Sequence, residues 1–322
     1  MSPNLAFTSP EAISDLVRKI RDRNAQRVAL QFPEGLKRKA AGVARALDAA
    51  GIGVVISGDP CYGACDLDLD LLDEVDLLVH FGHAPVDDRE GVLYVYVHYD
   101  FDVTVLDAVI PLIEGKEIGL VTTVQHAHLV DAAASYLRDR GISCAVARGS
   151  ARTPLPGQIL GCSFEAARAT GAREILYVGT GVFHALGVQL ATGARVVALD
   201  PYRGSAEVVD ASRLLRKRYV LIEKAREAES IGILLSKKSG QKRSALATRL
   251  AALSGVAFIV ALQEITPDAL LNLGFDCYVN TACPRIAYDD QVRFPAPVLS
   301  PPEFEIACGA RSWEDYTIDE IV

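Results

Sequence analysis

Aromatic residues make up only 7% of the 322-residue sequence, although half of its residues are hydrophobic. Val, Leu, Ile and Ala must therefore build the core, as they do in buried parallel strands. No run approaches the roughly 18 consecutive apolar residues of a membrane-spanning helix. The N-terminal stretch MSPNLAFTSPEAISDLVRKI also lacks the continuous apolar segment of a secretion signal. Positive charge is short too: the net charge is −8 and the pI about 5.3. A nucleic-acid groove needs clustered basic surface that this composition does not favour. No G-x-x-x-x-G-K-[ST] cradle occurs, no G-x-G-x-x-G follows a strand, and no G-x-S-x-G elbow is present. Phosphate-loop and Ser-His-Asp chemistry thus lack their usual signatures.

What is present is a chain long enough for two or three domains, with a mean hydropathy of +0.20 that predicts a sizeable core. Ile13, Leu16, Val17 and Ile20 recur at helical spacing over 10–23, behind a capping box expected from Thr8 and Glu11. Strand-like runs then alternate with helical ones: RVALQF, a helix over 37–50, GVVISG, DLLVHFGHAP and VLYVYV. The layout recurs from EIGLVTT and again from SIGILLS, so matched first strands begin near Val28, Ile118 and Ile231. A repeat of this length is domain-sized, not a solenoid period. The expected fold is α/β, with three pseudo-threefold-related domains, each a small parallel sheet of about four strands flanked by helices. Their limits are 1–114, 115–212, and 213–322, the last opening on a linker helix over 214–229.

Seven cysteines are an odd number for a disulfide framework, and a reducing cytoplasm is the default setting. Three of them sit in distinctive strings: Cys65 in GDPCYGACDLD, Cys162 in PGQILGCSFE and Cys283 in NTACPRIAYDD. They are 97 and 121 positions apart, one in each expected domain. Soft thiolates suit iron–sulfur clusters, and a cubane held by three leaves one iron open. Zinc is the rival, but structural zinc sites draw four ligands from closely spaced pairs. A fourth could come from His83 or His184. Cys162 precedes a helix-like stretch, SFEAARATGA, whose N-terminus would favour a thiolate. Cys61 and Cys65 form a C-x3-C pair that is also compatible with two packing cysteines. Cys144 and Cys277 read as core, and Cys308 as incidental. In parallel α/β sheets ligands gather beyond the carboxyl ends of strands, which is where these cysteine strings and several polar residues fall.

QFPEGL, YGACD, VHFGHAP, QHAH, PGQILGCSF, GTGVFHALG, ALDPYR, KKSGQ and ACPRIAYDD follow in this order over nearly the full length. The chain resembles the archaeal enzymes of the first step of diphthamide biosynthesis, atypical radical-SAM 3-amino-3-carboxypropyltransferases. The resemblance implies a [4Fe–4S] cluster held by Cys65, Cys162 and Cys283, and no role for Cys61. It implies S-adenosylmethionine (SAM) as co-substrate, bound in a cleft for which Gln31, Pro33, Glu34, Gly35, His83, Gln125, Gly179, Asp200, Lys238, Gly240 and Gln241 are the candidates. It implies transfer to C2 of a histidine on translation elongation factor 2, an electron donor, and a cytoplasmic homodimer that touches neither nucleic acid nor membrane. A second reading is a quinolinate-synthase-like dehydratase or condensing enzyme with a three-cysteine [4Fe–4S] cluster. A third is a non-catalytic subunit that binds the elongation factor.

Overall fold

The computed structural model describes residues 6–321; the first five residues of the N-terminal stretch and residue 322 lie outside it. Three sheets follow one another along the chain. The first contains β1 (Arg27–Gln31), β2 (Gly53–Ile56), β3 (Leu77–Phe81) and β4 (Val92–Val95). The second contains β5 (Glu117–Thr122), β6 (Ser143–Ala145), β7 (Glu174–Val178), β8 (Arg195–Asp200) and β9 (Ser205–Val208). The third contains β10 (Ile231–Ser236), β11 (Ala257–Leu262), β12 (Cys277–Asn280) and β13 (Val298–Leu299). In every sheet the unit's second strand flanks its first, and the third and fourth lie on the other side: β2-β1-β3-β4, β6-β5-β7-β8-β9 and β11-β10-β12-β13. All pairings are parallel except β8 with β9. The antiparallel β9 is the addition to the expected four strands; short and largely exposed, it carries little apolar pattern.

Apolar residues on both faces make the central strands. In β7, Ile175 and Tyr177 enter one core cluster while Leu176 and Val178 enter another. In the third sheet, Ile231, Ile233, Cys277 and Val279 face one way, Leu234 and Tyr278 the other. Helices cover these faces. The first unit uses α1 (Pro10–Arg21) and α2 (Ala40–Ala49), and the second α3 (Val130–Arg138), α4 (Glu165–Ala169) and α5 (Phe183–Thr192). The linker α6 (Ser212–Arg226) precedes α7 (Ser244–Ala251), α8 (Pro267–Leu273), α9 (Arg285–Tyr288) and α10 (Pro301–Ala307). The cap of α1 is Ser9, whose side chain accepts from Ala12 N, rather than Thr8.

The linker helix is tied to the third unit by a buried ion pair. Arg218, 2% exposed, donates to both carboxylate oxygens of the fully buried Glu303 and to the carbonyls of Ala287 and Val298. Ser300 N and the Tyr316 hydroxyl supply further donors to Glu303, so little of either charge is left unsatisfied. The shared strand order has a consequence for function. The order in which strands are added switches sides between the parallel first and third strands of each sheet, leaving a crevice at their carboxyl ends. Those ends carry Gln31 and His83, Gln125 and Gly179, and the loop after β10 together with Cys283.

Candidate metal centre

Cys65 and Cys162 lie in the loops after β2 and β6, the second strands of their units, whereas Cys283 follows β12, a third strand. The three ligand positions are therefore not strictly equivalent by repeat. They nevertheless converge: the charge of Cys65 reaches Cys162 and Cys283, and that of Cys162 reaches Cys283. Among the described residues, the only His/Cys/Asp/Glu group whose ligand atoms all lie within 4.8 Å of one another is Cys61, His80 and His83. The three converging sulfurs are thus more widely spread than the ligands of one ion, as a multi-iron cluster requires and one tetrahedral zinc does not.

Each cysteine is held by its surroundings. Gly240, on the loop after β10, packs so closely that a Cβ there would stand 2.4 Å from Cys65 Cα. The next residue, Gln241, donates from Nε2 to Cys65 Sγ at 3.3 Å. Cys162 sits in a turn between two rings: a Cβ on Gly161 would meet the Phe183 ring at 2.4 Å, and Phe164 fills the space above Gly187 of α5. The C-terminal segment crosses this turn, with Ile321 N donating to Cys162 O and the Glu320 carboxylate accepting from Phe164 N and Arg168. Asn280 shapes the Cys283 turn, donating to Cys283 O and accepting from Ala282 N, while Arg243 donates to the carbonyls of Thr281 and Ala282.

Burial pushes all three thiols up, Cys162 to about 11, and their proximity to one another adds to the effect. Opposing it are the Gln241 amide at Cys65, the Arg152 side chain at Cys162 and the Arg285 backbone N–H at Cys283. The expectation of a helix terminus activating Cys162 fails here. α4 begins only at Glu165 and has five residues, so burial outweighs any dipole. Without a bound cation the site is a set of neutral thiols surrounded by N–H donors. Three soft donors, a close-fitting glycine and donors aimed at sulfur fit an iron–sulfur cluster.

The expected cleft residues divide into two groups. Lys238 Nζ is buried between Asp66 (2.8 Å) and Glu264, so within the KKSGQ loop Lys238 captures carboxylates of this chain while Lys237 and Ser239 stand in solvent. With Gly240 and Gln241 it lies against the Cys65 loop. Gln31, 2% exposed, donates to Asp66 O and accepts from His80 Nδ1, and His80 Nε2 meets His83 Nδ1 at 2.9 Å. Gln125 donates weakly to Gly82 O, and Gly179 is packed against the Tyr177 hydroxyl. The others are engaged locally or lie open. Asp200 accepts from the backbone N–H groups of Tyr202 and Arg203, in a turn that leads to β9 rather than to a helix. Glu34 is exposed, pairs with Lys37 at 2.6 Å and is held below the usual carboxylate range by it. Pro33 lies against Gly82, and a Cβ on Gly35 would meet nothing within 4 Å. His184, the other possible zinc ligand, stacks on Tyr177 and is pushed down to about 4 by burial.

Sequence reading missed Arg152, Arg243, Asp66 and Glu320. Asp66 stood inside the YGACD string and was the one within reach. Arg152 is one of two arginines, with Arg148, in an irregular loop, and its Nε is buried without a hydrogen-bond partner.

The model of the family described as "Putative diphthamide synthesis protein" matches residues 32–318. The chain is 36% identical to 2-(3-amino-3-carboxypropyl)histidine synthase of Pyrococcus horikoshii, covering 96% of this chain and 93% of that protein. It is 33% identical to subunit 1 of the human enzyme of that name, covering 98% of this chain and 75% of the human one. Its fold superposes on the crystal structure of Dph2 from Pyrococcus horikoshii with a 4Fe-4S cluster at a TM-score of 0.91, with 34% identity over 96% of this chain and 93% of that one. On this agreement of sequence and fold, the chain belongs to the diphthamide synthesis family.

Proposed function

We propose that this chain is a 2-(3-amino-3-carboxypropyl)histidine synthase that transfers the 3-amino-3-carboxypropyl group of SAM, by a radical route, to C2 of a histidine imidazole on elongation factor 2. The single observation that carries the reading is the meeting of Cys65, Cys162 and Cys283, one from each sheet unit, at the strand ends. Cys65, Cys162 and Cys283 would hold a [4Fe–4S] cluster, which when bound supplies one electron and an open iron for the amino and carboxylate groups of SAM.

The protein's residues then do the positioning. Gln241 directs an N–H at the Cys65 sulfur, and hydrogen bonds of this kind tune a cluster's potential. Arg152, beside Cys162, offers an unspent donor for a substrate carboxylate. Lys238 is already neutralised by Asp66 and Glu264; its work is to lock the loop bearing Gly240 and Gln241 against Cys65. Gln31, His83, Gln125 and Gly179 would form the wall of the SAM cleft. The buried setting shields a radical from water, and orientation decides which sulfonium bond breaks. An electron donor, a homodimeric assembly and a cytoplasmic setting complete the proposal, and no helix among the described residues is long and apolar enough to cross a membrane.

Anaerobic incubation with labelled SAM, dithionite and archaeal elongation factor 2 tests it. Methylthioadenosine should be released, and one histidine should gain the mass of the transferred group. Substituting that histidine should abolish labelling. Absence of methylthioadenosine from iron-loaded protein would overturn the reading in favour of a dehydratase-type cluster enzyme.

A further inference from the structure

Cys61, the first thiol of the C-x3-C pair, has no part in the three-cysteine centre. It is 1% exposed, and its sulfur reaches a hydrogen-bond acceptor only at Gly63 O, 3.8 Å away, too far to hold the thiol firmly. Its closer company is two imidazoles. The Cys61 sulfur and one nitrogen each of His80 and His83 lie within 4.8 Å of one another. His80 comes from β3; Gly82, at φ +85°, turns the chain so that His83 folds back onto it.

The orientation of His80 is fixed from outside the trio. Gln31 spends its amide N–H on Asp66 O, so its Oε1 must accept, and the proton of His80 lies on Nδ1. The Nε2 lone pair of His80 is thereby presented to His83 and Cys61. A carbonyl-type acceptor behind the ring, fixing tautomer and direction, is the usual outer support of a metal-bound histidine. We propose that Cys61, His80 and His83 form a second metal site, which takes a single zinc(II) ion and is separate from the three-cysteine centre.

The dimensions suit it. Two nitrogens at zinc bond length in a tetrahedral site stand about 3.3 Å apart, and His80 Nε2 and His83 Nδ1 are 2.9 Å apart, so a small opening admits the ion. Binding releases the Cys61 proton, and His83 keeps its proton on Nε2 instead of Nδ1. One thiolate and two neutral imidazoles leave a single positive charge at the site, and the charges of Asp66 and of its partner Lys238 both reach Cys61 and oppose one another there. His83 is only partly buried, which leaves a way in and a fourth coordination position facing the cleft. Thiolate and imidazole are ligands zinc favours over the carboxylate-loving divalent ions.

The test uses the full chain, loaded anaerobically with its cluster and then exposed to zinc chloride alone. After gel filtration it should retain about one zinc per chain, with a zinc-edge X-ray absorption spectrum of one sulfur and two nitrogen ligands. Cys61→Ala and His83→Gln should each lower zinc retention at least about tenfold with iron unchanged. Cys283→Ala should lose iron and keep zinc. Zinc retention no greater than in Cys61→Ala would overturn the site. So would zinc that survives Cys61→Ala but leaves with Cys283→Ala, since that metal would be occupying the cluster thiols. Should Cys61→Ala also lose iron, the absorption spectrum of the unaltered protein decides, a shell of three sulfurs being the contrary result. None of these readouts depends on turnover, so failure here leaves the methylthioadenosine assay standing.

Discussion

Gly240 is the residue at which absence of a side chain matters most. Its Cα hydrogen occupies the place where a methyl group would lie 2.4 Å from the Cys65 backbone, and no flexible side-chain end is there to yield. Gly240→Ala must push the loop after β10 away from Cys65 and take the Gln241 amide with it. We expect iron per chain, after anaerobic reconstitution, to fall by at least half. Gly35→Ala, in open space, should load normally and so controls for the general effect of adding a methyl. Normal iron content in Gly240→Ala would mean that this contact does not set the position of Cys65. The same scale explains what the sequence displayed and what it hid. Cys65, Cys162 and Cys283 stand in distinctive strings. Arg152 lies on the same irregular loop as Cys162, ten positions before it and among other polar residues such as Arg148 and Thr153, so neither a motif nor a regular spacing announces it.

At the scale of elements, the strands were legible because both faces of each sheet are covered, so that RVALQ, LLVHF, EILYV and IGILLS are nearly unbroken apolar runs. The edge strands β9 and β11 are half polar or exposed by pattern, and β9 escaped notice. The C-terminal segment was the larger omission. DYTIDEI has neither helical nor strand period, yet it crosses from the third unit to the second and pins the Cys162 turn. Glu320 accepts from Phe164 N at 2.8 Å and from both Arg168 Nη atoms. Asp319 pairs with Arg243, which holds the turn before Cys283. Glu320→Ala leaves the Phe164 N–H without its acceptor, a loss of roughly 1–3 kcal/mol in stability. Chemical denaturation should register that loss, and the variant should release iron to a chelator faster than the unaltered protein. An unchanged release rate would show that the turn holds its shape without the strap.

The whole molecule carries a pH dependence set by groups buried in the uncharged form. Burial holds His80 down to about 3 and His83 and His184 to about 4, while an unfolded histidine titrates near 6.5. Below pH 6.5 the unfolded chain therefore binds protons that the folded chain refuses, and stability falls as pH drops, by about 1.4 kcal/mol per pH unit for each such histidine. The thiols act at the other end. Burial raises Cys162 to about 11 and Cys61 to about 12, from 9.0, so above pH 9 the unfolded chain sheds protons that the folded one keeps. Stability falls there as pH rises. The metal-free protein should melt at its highest temperature between pH 6.5 and 9, with Tm declining on both sides. His184→Gln should shallow the acid limb while leaving the alkaline limb alone, since His184 lies outside both cysteine groups. Cluster loading should change both limbs. Thiols that bind iron have already lost their protons, so the loaded chain should lose the Cys162 and Cys283 contribution to the alkaline decline, and its acid limb should steepen, because unfolding with release of the cluster returns protons to these thiols below about pH 9. Identical alkaline limbs in metal-free and iron-loaded protein would mean that these cysteines are not what the metal deprotonates.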